Sequence, residues 1–159
     1  MPISYNSLVS SKTMYRTTLT SGTSYTVPAG VTYLNVTLYG GAGGSAGTWS
    51  ANTIGGLSGS VVSSTLSCTP GASIAYAIGA GGAGGASGGT AGSAGGTTTF
   101  TGATSAPGGN AGQSAQFPGQ AGPNYRGAGN APSPVGGTNT ASYTGPAGGS
   151  GCIDVEYWA

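Results

Sequence analysis

The stretch Val31-Thr-Tyr-Leu-Asn-Val-Thr-Leu-Tyr-Gly-Gly-Ala-Gly-Gly44 decides how this chain is read. Its first nine residues alternate. Leu34, Val36 and Leu38 fall on one side, and Tyr33, Asn35, Thr37 and Tyr39 on the other. Period two with one apolar side marks a half-buried strand of an antiparallel sheet. At Gly40 the period changes to three, with Gly40 and Gly43 and then Gly44 and Gly47 in step. A left-handed extended helix has three residues per turn and a rise of about 3.1 Å, and it leaves its own N–H and C=O groups unpaired. If such a segment is buried, those groups must pair with something else. Helices of this kind laid side by side can pair with one another, provided that the facing positions carry no Cβ.

Working outward, the same two patterns recur. Gly79, Gly82, Gly85 and Gly88 share a register, and Gly89, Gly92 and Gly95 continue in a shifted one. Shorter pieces follow at Gly109/Gly112, Gly119/Gly122 and Gly145/Gly148/Gly151. Between the tracts lie strand-like runs at 23–27, 59–67, 73–78, 97–101 and 152–158, rich in β-branched residues or alternating. In the last of these Ile153, Val155 and Tyr157 share one side, and Asp154 and Glu156 the other, which reads as a solvent face. Collagen requires an unbroken Gly-X-Y run rich in Pro, and residues 79–95 hold no Pro at all. A flexible Gly/Ser linker fits the tracts but not the strands between them. The expected fold is all-β with polyglycine II helices: short antiparallel strands clamp a glycine-helix bundle, with no α-helix of note. Gly79, Gly82, Gly85, Gly88, Gly92 and Gly95 are its structural glycines. Residues 1–22 read as an N-terminal arm and 23–159 as the domain.

Composition narrows the function. Gly supplies 35 of 159 residues and Pro 9, while Leu, Ile, Val and Phe total only 21, too few for a conventional apolar core. The charged residues are Lys12, Arg16, Arg126, Asp154 and Glu156, and there is no His. Three basic side chains cannot neutralise a phosphate track, so nucleic acid is not expected as a partner. Without imidazole, no nucleophile–base pair or metal cluster suggests itself, so no enzyme activity, metal or cofactor is expected. The run Gly79–Gly84 satisfies G-x-G-x-x-G by composition alone, because a dinucleotide site needs a helix to follow. No secretory signal and no 18-residue apolar run appear, so membrane insertion is not expected. Cys68 and Cys152 are compatible with two free thiols or with one bridge.

The order of pieces is more specific than any one of them. Tyr25–Gly44, Gly56–Ser67, Thr69–Gly85, Gly96–Phe100 and Gly148–Trp158, taken together over about 23–158, resemble the glycine-rich domains of bacteriophage tail fibre and receptor-binding proteins. That resemblance implies a virion protein, often trimeric, bearing a strand-clamped polyglycine II bundle. Its location would be the virion surface after assembly in the host cytoplasm. Its partners would be other virion proteins and a host surface glycan or outer-membrane protein. The expected role is an exposed fibre or fibre-tip adhesin. A capsid decoration or head-fibre role is the alternative, and ice binding a remote one.

Receptor contacts are expected where bulky and amide side chains interrupt the tracts: Trp49, Asn52, Asn110, Gln113, Gln116, Phe117, Tyr125 and Arg126. Aromatic rings beside amides suit sugar stacking or a flat protein epitope, and packing against the strands is the competing use of the same rings. In the arm, Tyr5, Tyr15 and Arg16 are the residues expected to attach the protein to a larger virion component.

Overall fold

The computed structural model describes residues 12–47, 55–113 and 144–159. Seven strands appear in chain order: β1 (Met14–Leu19), β2 (Ser24–Thr26), β3 (Tyr33–Tyr39), β4 (Val61–Ser67), β5 (Ser73–Ala77), β6 (Thr99–Phe100) and β7 (Cys152–Trp158). Among the described residues the fold is all-β, without a helix. β1, β7, β3 and β4 lie in that order in a four-stranded antiparallel sheet, and β2, β5 and β6 form a three-stranded one.

The alternation in β3 places its apolar side as expected. Leu34, Val36 and Leu38 are fully buried, opposite Leu66, Ser64 and Val62 of β4. Val36 and Leu38 also lie opposite Val155 and Ile153 of β7. Tyr76 and Phe100 of the smaller sheet join this core with ring centroids 6.3 Å apart. Val27, Val31 and Ala106 complete it. A core this small suffices because it closes only one end of the molecule; the rest is held by backbone.

β1 falls within residues 1–22, the stretch read as an arm from sequence. Its side chains are exposed except for the half-buried Leu19, so Met-Tyr-Arg-Thr-Thr-Leu carries no burial pattern to betray a strand. Pairing along the whole length of β7, from Met14 opposite Trp158 to Leu19 opposite Ile153, makes it an edge of the sheet.

Among the described residues the glycine tracts form six non-strand segments: 40–47, 55–60, 79–86, 90–97, 107–113 and 144–151. Segment 40–47, buried throughout, is the axis. Its donors rotate among three neighbours at 2.8–3.0 Å. Gly40 and Gly43 bond to Ser60 and Leu57; Gly41, Gly44 and Gly47 to Gly96, Ser93 and Thr90; Ala42 and Ser45 to Gly149 and Pro146. Two further neighbours donate to it, Gly82 and Gly85 into the carbonyls of Ala42 and Ser45, and Gly109 and Gly112 into those of Gly41 and Gly44. A strand ribbon alternates between two partners with period two. Here the rotation takes three residues, in step with the glycines.

Side-chain bulk would end this arrangement. A Cβ on Gly41, Gly44 or Gly47 would overlap the carbonyl oxygens of Ala80, Ala83 and Ala86, and one on Gly79, Gly82 or Gly85 those of Gly96, Ser93 and Thr90. Gly92 and Gly95 abut Gly44 and Gly41 in the same way. Gly88 has a different duty from its five companions. With φ of 98° and Gly89 following at 79°, it reverses the chain between two segments. The register shift after Gly88 is the trace of that turn.

Candidate binding surfaces

Three of the segments run away from the sheets and three return. Gly47, Ala86, Thr90, Gly112 and Gly145 are linked at one level through Gly47 to Thr90, Gly92 to Gly112 and Gly145 to Gly85. Gly40, Ser60, Gly79, Gly96, Pro107 and Gly151 lie at the opposite, sheet-side level. The turn at 87–89 and the ends from which 48–54 and 114–143 depart therefore share one pole of the block, far from the sheets. Asn110 and Gln113 lie exposed on the segment leading to that pole, and the Asn110 carbonyl accepts a hydrogen bond from Leu57 N–H at 2.9 Å. Trp49, Asn52, Gln116, Phe117, Tyr125, Arg126 and Tyr5 lie outside the described residues.

Tyr15 and Arg16, assigned to attachment from sequence, are built into the sheet. Tyr15 stacks on Tyr157 at 5.3 Å with rings 14° from parallel. Arg16 forms an ion pair with Asp154 and reaches Glu156 at 3.6 Å. Asp154 departs from its expected solvent-facing place, because it is only 7% exposed. The cause is β1, which sets Arg16 and Thr18 beside it. Thr18 donates to its Oδ1 at 2.5 Å. Burial alone would raise the Asp154 carboxyl, but hydrogen bonds from Thr18, Arg16 and Tyr39, with the charge of Arg16, hold it below its ordinary value.

These groups belong to a face that the sequence reading did not assemble. Side chains directly opposite in antiparallel pairs share a side of the sheet. The side turned from the core therefore carries Arg16, Glu156, Asn35 and Thr65 in one row, and Thr18, Asp154, Thr37 and Ser63 in the next. Thr65 donates to Asn35 Oδ1 at 2.8 Å, and Thr37 and Ser63 share a hydrogen bond of 3.0 Å. Beyond the first row stand Met14, Trp158 and Tyr33, exposed by 55, 44 and 64%. Beyond the second stand Cys152, Tyr39 and Val61. The alternation of β3 and β7 had separated these side chains from the apolar ones. Strand order, which brings them together, is not written in local pattern.

Cys68 and Cys152 are free and half-buried, and burial raises both thiols above their usual value. Among the described residues no three of His, Cys, Asp and Glu gather where a metal could be held. No helix among them is long and apolar enough to cross a membrane.

Fold and surface together define a class: an all-β domain whose strands cap a block of backbone-paired glycine segments. The family profile described as the glycine-rich domain matches residues 17–152, and the chain belongs to that family. Comparison with curated protein sequences gives no match.

Proposed function

We propose that this chain is a non-catalytic module of a bacteriophage particle, an exposed fibre or fibre tip that meets the host cell surface. In this reading the six glycine segments are polyglycine II helices, for which the three-residue rotation of donors along 40–47 is the support. The carrying observation is that the described segment ends gather at one pole, opposite the sheets. A block whose axis is buried and hydrogen-bonded on every side gives the connections 48–54 and 114–143 a firm base. Those connections hold Trp49, Asn52, Gln116, Phe117, Tyr125 and Arg126. The ordered resemblance to fibre and receptor-binding domains supplies the virion setting. Other virion proteins are the partners within the particle, a host glycan or outer-membrane protein the partner outside it, and three copies the expected assembly.

Gold-labelled antibody against the protein, viewed on particles by electron microscopy, locates it. Antibody fragments raised against the 114–143 peptide test its activity. Label on tail fibres with adsorption blocked is the expected result. Label over the capsid with adsorption untouched would replace this reading with capsid decoration or a head fibre.

A further inference from the structure

The outward face of the four-stranded sheet has a composition unlike the rest of the surface. Three of the four charged residues among those described, Arg16, Asp154 and Glu156, stand on it. So do two of its large exposed aromatic side chains. Asn35 lies opposite Glu156, and continuing that register by two residues sets Tyr33 opposite Trp158. Met14 flanks Trp158 on its other side. Backbone bonds between Thr13 and Ala159, at 2.8 and 3.1 Å, extend the β1–β7 pairing past Trp158 and fix its position.

We propose that this face binds a neutral oligosaccharide, with Trp158 and Tyr33 as stacking platform and Glu156, Asn35, Arg16 and Thr65 as the adjoining hydrogen-bonding row. Directly opposite residues carry Cβ atoms about 5 Å apart, so the two rings form a continuous apolar patch. The polar row lies two residues further along, about 7 Å away, close to the length of one pyranose ring. A sugar whose C–H face covers the rings thus presents the hydroxyls of its neighbour to a carboxylate, an amide, a guanidinium and a hydroxyl. That set both donates and accepts, as polyols require.

Charge selects among ligands. The face carries two carboxylates against one guanidinium already engaged by both, so sulfated, phosphorylated or uronic saccharides meet repulsion. Size argues against a protein partner. Four strands about 4.8 Å apart and seven residues of about 3.4 Å make a face of roughly 350–450 Å². A stable protein interface takes about 800 Å² from each side.

This inference deepens the adhesive reading, resting on it for the source of the glycan, and moves a contact from the far pole to the sheet. The test uses the full chain with cellohexaose, maltohexaose and chitopentaose as probes, by calorimetry. A Trp49→Phe variant lets the remaining indole, Trp158, report by fluorescence. The expected result is that at least one probe binds with Kd below about 1 mM and perturbs Trp158 emission. Trp158→Ala and Tyr33→Ala should each weaken that binding by about tenfold, Trp158→Phe should retain most of it, and Ser87→Ala, at the exposed turn of the far pole, should leave it unchanged. If no probe binds, or if the Trp158 and Tyr33 variants bind as the parent does, the inference is overturned. Glycan binding together with label over the capsid would leave this face standing and remove the fibre reading. The reverse pair of results would do the opposite.

Discussion

At Gly44 a single hydrogen atom stands where every other amino acid would place carbon. Its N–H bonds to Ser93, its carbonyl accepts from Gly112, and its Cα faces the Ala83 carbonyl. Backbone cannot retreat as a side-chain tip can, so Gly44→Ala forces two segments apart. Overpacking in a close-packed interior costs about 1–3 kcal/mol, and the melting temperature should fall by roughly 3–10 °C. Ala80→Ser, an exposed position on a neighbouring segment, should change it little. Thermal melts of the two variants side by side check this. Thr98 is the other residue on which much turns. Fully buried, it accepts from Gly79 N–H at 2.9 Å and donates to the Tyr39 carbonyl at 2.7 Å, tying the end of β3 to the start of segment 79–86. Thr98→Val keeps the shape but strands a buried donor and acceptor, which costs roughly 1–3 kcal/mol. Thr98→Ser keeps the hydroxyl and should lose less, by chemical denaturation.

At the scale of elements, the weak place is β1, held to β7 by pairing and by the Arg16–Asp154–Thr18 cluster rather than by burial. Because Asp154 has a lower pKa folded than unfolded, it adds stability above its ordinary value near 3.8 and loses that contribution as pH falls through the lower folded value. Urea melts between pH 6 and pH 2 should show an acid-side loss. Asp154→Asn should be less stable than the parent at pH 7 yet flatter across this range. Equal acid slopes in the two proteins would show that the carboxylate is not the titrating group. The same element marks the limit of sequence reading. Six strands could be placed because Leu34, Val36 and Leu38, or Ile74 and Tyr76, turn a buried side that leaves a period. β1 borrows its place from β7 and leaves none. Asp154 was misjudged for that reason alone, since one unrecognised neighbour converted a solvent face into a shielded one. The Trp158–Tyr33 platform was hidden differently: alternation gave Tyr33 its side and left Trp158 unassigned, and adjacency across 125 residues of chain depends on strand order.

For the molecule as a whole, the pole with its connections and the sheets at the other end are related only through the threefold phase of the segments between them. That phase can be tested with insertions that use only residue types the segment already contains. In segment 40–47 each step of one residue turns the donor by about 120° toward a different neighbour. Inserting one Gly after Gly43 would put Ala46 in the place of Gly47, where its Cβ meets the Ala86 carbonyl. It would also send the Ser45 donor, native to Pro146, toward a different segment. Inserting Gly-Ser-Ala at the same point restores Gly-Ser-Ala-Gly across the four positions after Gly43 and pushes three residues outward into the connection beyond. The longer insertion should therefore melt within a few degrees of the parent, whereas the single glycine should leave no cooperative transition. Long surface connections tolerate added residues at small entropic cost, about 0.6 kcal/mol per doubling of length; a misphased backbone lattice loses several hydrogen bonds at once, each worth about 1 kcal/mol and more if its partner is left buried. Amide exchange separates the cases further, because the protected amides of Gly41 and Gly44 should stay slow in the three-residue variant and become fast in the other. If one residue were tolerated as well as three, the segments would be packed as featureless chain, and the far pole would have no fixed relation to the sheets.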